Sequence, residues 1–340
     1  MKVHSLLALL LIGAFSIQAT SALAQNDFRD VLDIPAAATE LASKQLITGL
    51  AMAGKRIVGV GRRGHIVYSD DGGATWLQSR VPVSSDLNAV HFPSPQVGWA
   101  VGHDGVVLRT SDAGESWDRK LDVRMARDLL ATIAQDNSGQ APMLELSFLG
   151  LWFETPERGF VVGAFNQILR TTDGGNSWEQ WSGKAQNPMG LHLYAIRGIG
   201  ADVYVSGEAG LVMKLDRQAG QFRSLDTGYA GTFFGVTGTA DQIFAYGLRG
   251  TVYRSNDAGR HWRKVEANIS TALVADGVTR TGQVLLLSTD GHVLLSSDNG
   301  DQFRKMTGSK AVPMAASIIP LDDKSFVVGG GRGLSKQALR

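Results

Sequence analysis

Along the chain, short runs of alternating apolar and polar residues come in pairs, and a glycine-containing turn joins the members of each pair. The pairs read RIVGVGRRGHIVYS, GWAVGHDGVVLRT, GFVVGAFNQILRT, DVYVSGEAGLVMK, QIFAYGLRGTVYR and QVLLLSTDGHVLLS, and a seventh, SFVVGGGRGLSK, runs from Ser325 to Lys336. Period-two alternation on both sides of a short glycine turn predicts two antiparallel strands. Seven such units begin near Ala53, Ala89, Leu149, Leu193, Phe234, Val274 and Ala316.

A second phrase follows most of these pairs. It reads SDDGGATW from Ser69, TSDAGESW from Thr110, TTDGGNSW from Thr171, SNDAGRHW from Ser255 and SSDNGDQF from Ser296, with a decayed copy, KLDRQAGQF, from Lys214. Its aspartates are Asp71, Asp112, Asp173, Asp216, Asp257 and Asp298, about forty-one residues apart except for one interval lengthened by about twenty. That period is the size of one propeller blade. In such a turn the Asp carboxylate accepts backbone N–H groups ahead of it, the Gly takes positive φ, and the aromatic ring packs between sheets. Asp71, Asp112, Asp173, Asp257 and Asp298 are therefore expected to be structural rather than acids or metal ligands. Trp76, Trp117, Trp178 and Trp262 are expected in the blade core.

These features predict an all-β, seven-bladed propeller of four-stranded antiparallel blades in a single domain over residues 25–340. The seventh unit has no box after it and lacks an outer strand, so residues 28–35 (FRDVLDIP) are expected to complete that blade and close the ring. The one large insertion, residues 118–147, spaces Ala126, Leu129, Leu130 and Ile133 as on one helix face, with arginines opposite. Residues 138–142 end this helix, which either packs over the propeller mouth or serves as a lid or docking element.

The boxes, with VGxxGxIxRT-like strands before them, resemble BNR/Asp-box propellers and most closely the photosystem II stability/assembly factor family, over essentially all of the chain after residue 24. The resemblance implies a lumenal or periplasmic scaffold that holds a membrane-protein partner during assembly. Sialidases share the box as well, so the box specifies fold better than function.

Alternating strand direction puts the boxes on one face of the ring and the glycine turns, with every blade-to-blade link, on the other. The turn face gathers Arg62 and Arg63 from the first blade, His103 and Asp104 from the second, and Asn166 and Gln167 from the third. Glu208, Arg249, Asp290, His292 and Arg332 follow from the later blades. Because blades one and seven are neighbours in a closed ring, Arg62, Arg63 and Arg332 form a basic cluster, with Arg249 two blades away. Such arginines are either ordinary solvated turn residues or a fork for acidic partner surfaces. The expected partner-binding residues are Arg62, Arg63, His103, Arg249 and Arg332, aided by Leu129 and Ile133 of the helix.

Composition narrows the partner. With 33 Lys and Arg against 32 Asp and Glu, the chain has no global basic excess for nucleic acid. Lys2 and His4 precede an apolar run from Leu6 to Ile17, and Ala22-Leu23-Ala24 supplies a small-x-small cleavage pattern. Residues 1–24 thus read as a cleaved signal peptide, and the run is shorter than the roughly 20 residues that span a bilayer. There are no cysteines, hence no disulfide and no lipid-bearing Cys in this sequence. A soluble, monomeric periplasmic protein is expected, with a membrane protein or membrane complex as partner.

The competing reading is a sialidase-like glycoside hydrolase or a glycan-binding propeller. Phe28-Arg29-Asp30-Val31 lacks the Pro of a sialidase Arg-Ile-Pro motif, and Glu208 has no identifiable Tyr partner in a matching turn. Asp104, Glu208 and Asp290 are the candidates for a two-carboxylate mechanism. The 7 histidines show no zinc spacing, and GRRGHI lies between strands rather than ahead of a helix, so no metal or cofactor is expected.

Overall fold

The computed structural model describes residues 29–131, 146–297, 300–306 and 311–338. Seven antiparallel sheets stand around one axis, with Ile47–Ala53, Leu87–His91, Phe148–Phe153, Leu193–Ile199, Phe233–Thr239, Leu273–Val278 and Ala315–Pro320 as their innermost strands. Each inner strand packs on the next, and the seventh on the first. Blade 1 runs outward through Ile47–Ala53, Arg56–Gly61, Ile66–Ser69 and Leu77–Gln78, and blades 2 to 6 repeat this order with four strands each.

Second strands are sandwiched on both sides, which explains their near-continuous apolar runs: all of Gly98–Gly102 and Gly159–Gly163 is buried. Aromatic rings fill the wedges between blades. Trp99 of blade 2 stacks on Phe153 of blade 3 at 4.1 Å, and Phe244 of blade 5 meets Phe303 of blade 6 edge-on at 5.3 Å. Each such side chain contributes about 1.5–3 kcal/mol by burial.

Every inner strand carries a bulge after its first residue, displacing Thr48, Asn88, Leu149, Tyr194, Phe234, Val274 and Ala316 from the ladder. The residue after each bulge is small: Gly49, Ala89, Gly150, Ala195, Gly235, Ala275 and Ser317. Neighbouring strands converge there, for a Cβ on Gly49 would lie 3.1 Å from the Ala89 Cα, and one on Gly150 3.1 Å from the Ala195 Cα. Small residues are what permit that approach.

Three expectations from the sequence are corrected. The first unit begins at Ile47, and Ala53 is the end of its inner strand rather than near its start. Its sequence, ITGLAMA, mixes small and polar residues because it faces the crowded axis, which hides the alternation. The 118–147 insertion also starts later than expected: Asp118–Leu121 is the outer strand of blade 2. Buried Asp122 then caps the helix Val123–Ala131 by accepting the N–H groups of Arg124 at 2.8 Å and Met125 at 2.9 Å. The predicted end of the helix at residues 138–142 lies outside the described residues, as does the signal peptide.

The third correction concerns ring closure. The last sheet holds three strands among the described residues, Ala315–Pro320, Ser325–Gly330 and Gly333–Ala338, and residues 29–36 do not join it. They cross blades 1 and 2 instead. Leu32 is buried with Val58, Val83 and Trp117, and the Ser84 N–H donates to the Val31 carbonyl at 2.8 Å. Arg124 at the helix start holds Asp30 at 2.7 Å and Asp33 at 2.9 Å. Leu32 is the residue this segment buries and Asp30 and Asp33 are the ones it pairs, and blades 1 and 2 with the helix that follows supply the partners. The outer strand Gly333–Ala338, by contrast, presents the polar sequence GLSKQA. Packing closes the ring: the Ser317 hydroxyl donates to the Ile47 carbonyl at 3.4 Å, and Leu334 packs against Ala42, Ile47 and Val67.

Candidate partner-binding face

The two faces use the backbone differently. On one face lie the boxes. The Asp173 carboxylate accepts the N–H and hydroxyl of Ser177 at 3.0 and 2.6 Å and the Thr171 hydroxyl at 2.9 Å, while the Gly175 N–H donates to Thr171 Oγ1 at 2.9 Å. The same pattern recurs at Asp71, Asp112 and Asp257. The Ser177 donors hold the Asp173 carboxyl at a pKa of about 2, and the Thr75 and Ser69 donors push Asp71 lower still. These side chains are occupied by their own turns; Asp298 lies outside the described residues.

On the opposite face, the turns between second and third strands of blades 1, 2, 4 and 5 are built from two consecutive left-handed residues. Arg63 (φ 54°) precedes Gly64 (φ 70°), Asp104 (56°) precedes Gly105 (66°), Ala209 (49°) precedes Gly210 (75°), and Arg249 (56°) precedes Gly250 (68°). The second position tolerates almost nothing but Gly, because a Cβ would lie 2.1 Å from the Val83 carbonyl oxygen at Gly64 and 2.0 Å from that of Ile269 at Gly250. Each turn is thereby seated on the following blade-to-blade link. The side chain before the Gly is thrown outward.

Arg62, Arg63, Arg249 and Arg332 are all exposed in the turns between second and third strands of blades 1, 5 and 7, and blades 1 and 7 are neighbours in the ring. Asp86 steadies the first pair, accepting the Arg63 N–H at 2.8 Å and lying 3.8 Å from the Arg62 Nε. His103 is exposed, with Nδ1 3.2 Å from the Ser147 hydroxyl. Leu129 falls within the helix Val123–Ala131, but its side chain and all of Ile133 lie outside what is described.

Sequence reasoning missed the apolar members of this face. Phe165 occupies the left-handed tip of blade 3 (φ 53°) and is 63% exposed, and Leu248 sits beside Arg249 in the blade 5 turn. Met189 and Met314, on the links that follow blades 3 and 6, are 72% and 68% exposed. A signal existed for Phe165: it stands where other blades carry Arg, Asp or Ala.

Two of the three carboxylates of the hydrolase reading, Asp290 and Glu208, are partnered. Asp290 accepts the hydroxyls of Ser288 at 2.5 Å and Thr271 at 3.2 Å, and Glu208 accepts the His192 N–H at 2.8 Å. Contrary to the sequence reading, Glu208 has a tyrosine nearby, since its charge acts on the Tyr194 phenol. The pair was hidden because Tyr194 is the bulged residue of its strand and points out of register. Burial, and then the Glu208 charge, push the Tyr194 pKa up, the reverse of what a phenolate nucleophile needs. Among the described residues, no three His, Asp or Glu side chains gather as a metal site.

Fold and boxes together define an Asp-box β-propeller. A profile of the family described as Photosynthesis system II assembly factor YCF48 matches residues 41–144 and 140–281, and the chain belongs to that family. The chloroplastic Photosystem II stability/assembly factor HCF136 of Arabidopsis thaliana is 23% identical over 299 residues, covering 69% of this chain and 71% of that protein. Photosystem II assembly lipoprotein Ycf48 of a Synechococcus strain is 31% identical over 144 residues, 41% of this chain and 40% of that one. Among solved structures, YCF48 bound to a D1 peptide superposes with a TM-score of 0.67 at 17% identity, covering 88% of this chain and 94% of that one. That likeness shows the fold.

Proposed function

We propose that the protein is a non-catalytic assembly scaffold, exported to the periplasm by a signal peptide at residues 1–24, where it holds a membrane protein or membrane complex through its turn face. The observation that carries this reading is the presence of exposed arginines and exposed apolar residues in the turns and links of one face, with Arg63, Arg249 and Phe165 at left-handed turn positions. Arg62, Arg63, Arg249 and Arg332 offer planar forks to acidic groups. Phe165, Leu248, Met189 and Met314 add apolar contact around them. Such a mixed surface fits a protein partner better than a small substrate. His103 and the helix that carries Leu129 border the same face. The relatives named above are assembly and stability factors, and one of them is described with a D1 peptide bound.

Pull-down from detergent-solubilised membranes of the source cells, with the wild-type protein and the Arg62→Glu/Arg63→Glu variant, tests the proposal. The wild type should recover a membrane partner and the charge-reversed protein should lose most of it. Unchanged recovery, together with glycoside hydrolysis abolished by Glu208→Gln, would overturn the scaffold in favour of the enzyme.

A further inference from the structure

An intact box closes the groove between its own blade and the preceding one. A Cβ on Gly73 would lie 3.2 Å from Val327, one on Gly114 3.3 Å from Val58, one on Gly175 2.8 Å from Trp99 and one on Gly300 2.4 Å from Phe244. In blade 5 the loop carbonyl of Ala258 accepts the Tyr204 hydroxyl at 3.3 Å. All five contacted residues hold one position, three before the residue that ends the second strand: Gly61, Gly102, Gly207, Gly247 and Gly330.

Phe160 holds that position in blade 3, and the loop that should cover it is the decayed box of blade 4. There the hydroxyl residue two before the aspartate is Lys214, and Gly220 follows Asp216 by four residues where an intact box has two. Asp216 spends its carboxylate on the N–H groups of Gln218 and Ala219 and on Arg223. A Cβ on Gly220 would meet nothing within 4 Å. At Gly220 the loop backbone stands clear of the neighbouring blade, which the loop meets through Arg217 and the Phe222 ring, and a cavity of about 470 Å³ opens between blades 3 and 4.

Its floor is aromatic: Trp152, Phe160 and Trp181, the last two edge-to-face at 5.1 Å. Its rim is cationic: Arg158, Arg170, Lys184 and Arg217. Glu154 engages Arg217 at 3.0 Å, and Glu179 lies 2.5 Å from Lys184 and 3.9 Å from Arg170. Four cations thus face two carboxylates. Arg158 is exposed with no ion pair among the described residues, and the Arg170 guanidinium lies 4.9 Å over the Trp181 ring.

We infer that this cavity binds a free aromatic carboxylate: a flat apolar ring against Phe160 and Trp181, with its carboxylate on Arg158 and Arg170. The volume lies in the range of small-molecule sites. Ring-to-ring geometry favours an aromatic body, and the guanidinium fork favours a carboxylate. The site lies on the box face and is independent of the turn face proposed for the protein partner.

Titration of the purified mature chain with 1-naphthoate and with neutral 1-naphthamide, followed by calorimetry and tryptophan fluorescence, tests the inference. The acid should bind saturably and at least tenfold more tightly than the amide. Arg158→Gln and Arg170→Gln should each weaken the acid at least fivefold and leave the amide unchanged. Replacing residues 216–222 by the intact box sequence DGGNSW should fold a loop onto Phe160 and abolish binding; should that graft fail to fold, the arginine variants decide. Absence of saturable 1-naphthoate binding, or equal affinity for acid and amide in the wild type, would overturn it.

Discussion

The two faces of the ring are made from the same repeat and spend it in opposite ways. On the box face, side chains hold the backbone: the carboxylate of Asp173 and the hydroxyl of Thr171 are consumed by the turn they sit in. On the turn face, the backbone holds itself through two left-handed residues and a contact with the next link, and the side chain at the tip is left free. A repeated polar residue is therefore structural where its turn needs it as an acceptor. It is available for recognition where the turn is complete without it. That difference explains why the boxes vary little in sequence while the tips run through Arg63, Asp104, Phe165, Ala209 and Arg249.

The largest effect should come from the backbone of a turn tip. Gly250→Val forces a Cβ to 2.0 Å from the Ile269 carbonyl oxygen at a φ of +68°, so urea unfolding should show a loss of more than about 3 kcal/mol. A midpoint equal to wild type would break the account of that face. Asp112→Ala should cost about 1–3 kcal/mol, because the turn N–H of Ser116 and the Thr110 hydroxyl lose their acceptor. Partner recovery at low temperature should survive it. If recovery vanished with the melting temperature unchanged, the boxes would not be purely structural.

Acid titration sharpens the same contrast. A carboxyl held at about 2, below its ordinary value of 3.8, contributes stability that is full above the unfolded-state pKa and is lost as pH falls through about 2. Wild type and Asp173→Asn should therefore differ in melting temperature above about pH 4 and converge near pH 2. A difference that persisted undiminished at pH 2 would mean that Asp173 is not held ionised by its turn. The smallest stability effect belongs to Arg62→Glu/Arg63→Glu, expected to move the melting temperature by less than about 2 °C. Its partner recovery should become less sensitive to salt, which a series of pull-downs from low to high ionic strength would measure.

The architecture was legible because a period of about forty-one residues repeats, and each copy carries both strand alternation and turn chemistry. What stayed hidden has physical reasons. Ile47–Ala53 is an inner strand whose ladder is broken by a bulge and whose next position must be small, so ITGLAMA carries no clear alternation. Tyr194 meets Glu208 through a bulge, and period-two counting does not see a residue that leaves the ladder. The strand expected from residues 28–35 rested on the cost of an open edge alone. It took no account of Asp30 and Asp33, whose charges are drawn to Arg124. The basic tips were found in advance because arginine stands out in a turn. Their apolar neighbours were not, since an exposed Phe or Met looks like any core residue until its surroundings are known.

A ring closed by packing rather than by an exchanged strand also has a kinetic consequence. Each sheet is made from consecutive residues, so every blade can condense from its own stretch of chain and dock on the one before it. At the final junction Ser317 reaches Ile47 across 270 positions, so there distant parts of the polypeptide must meet. Pairing within each blade joins stretches that lie near one another in sequence, which favours rapid folding and limits the time for which sticky intermediates persist. The first sheet need not wait for the last residue to arrive before it is complete, and a chain delivered from one end can take shape in the order in which it emerges.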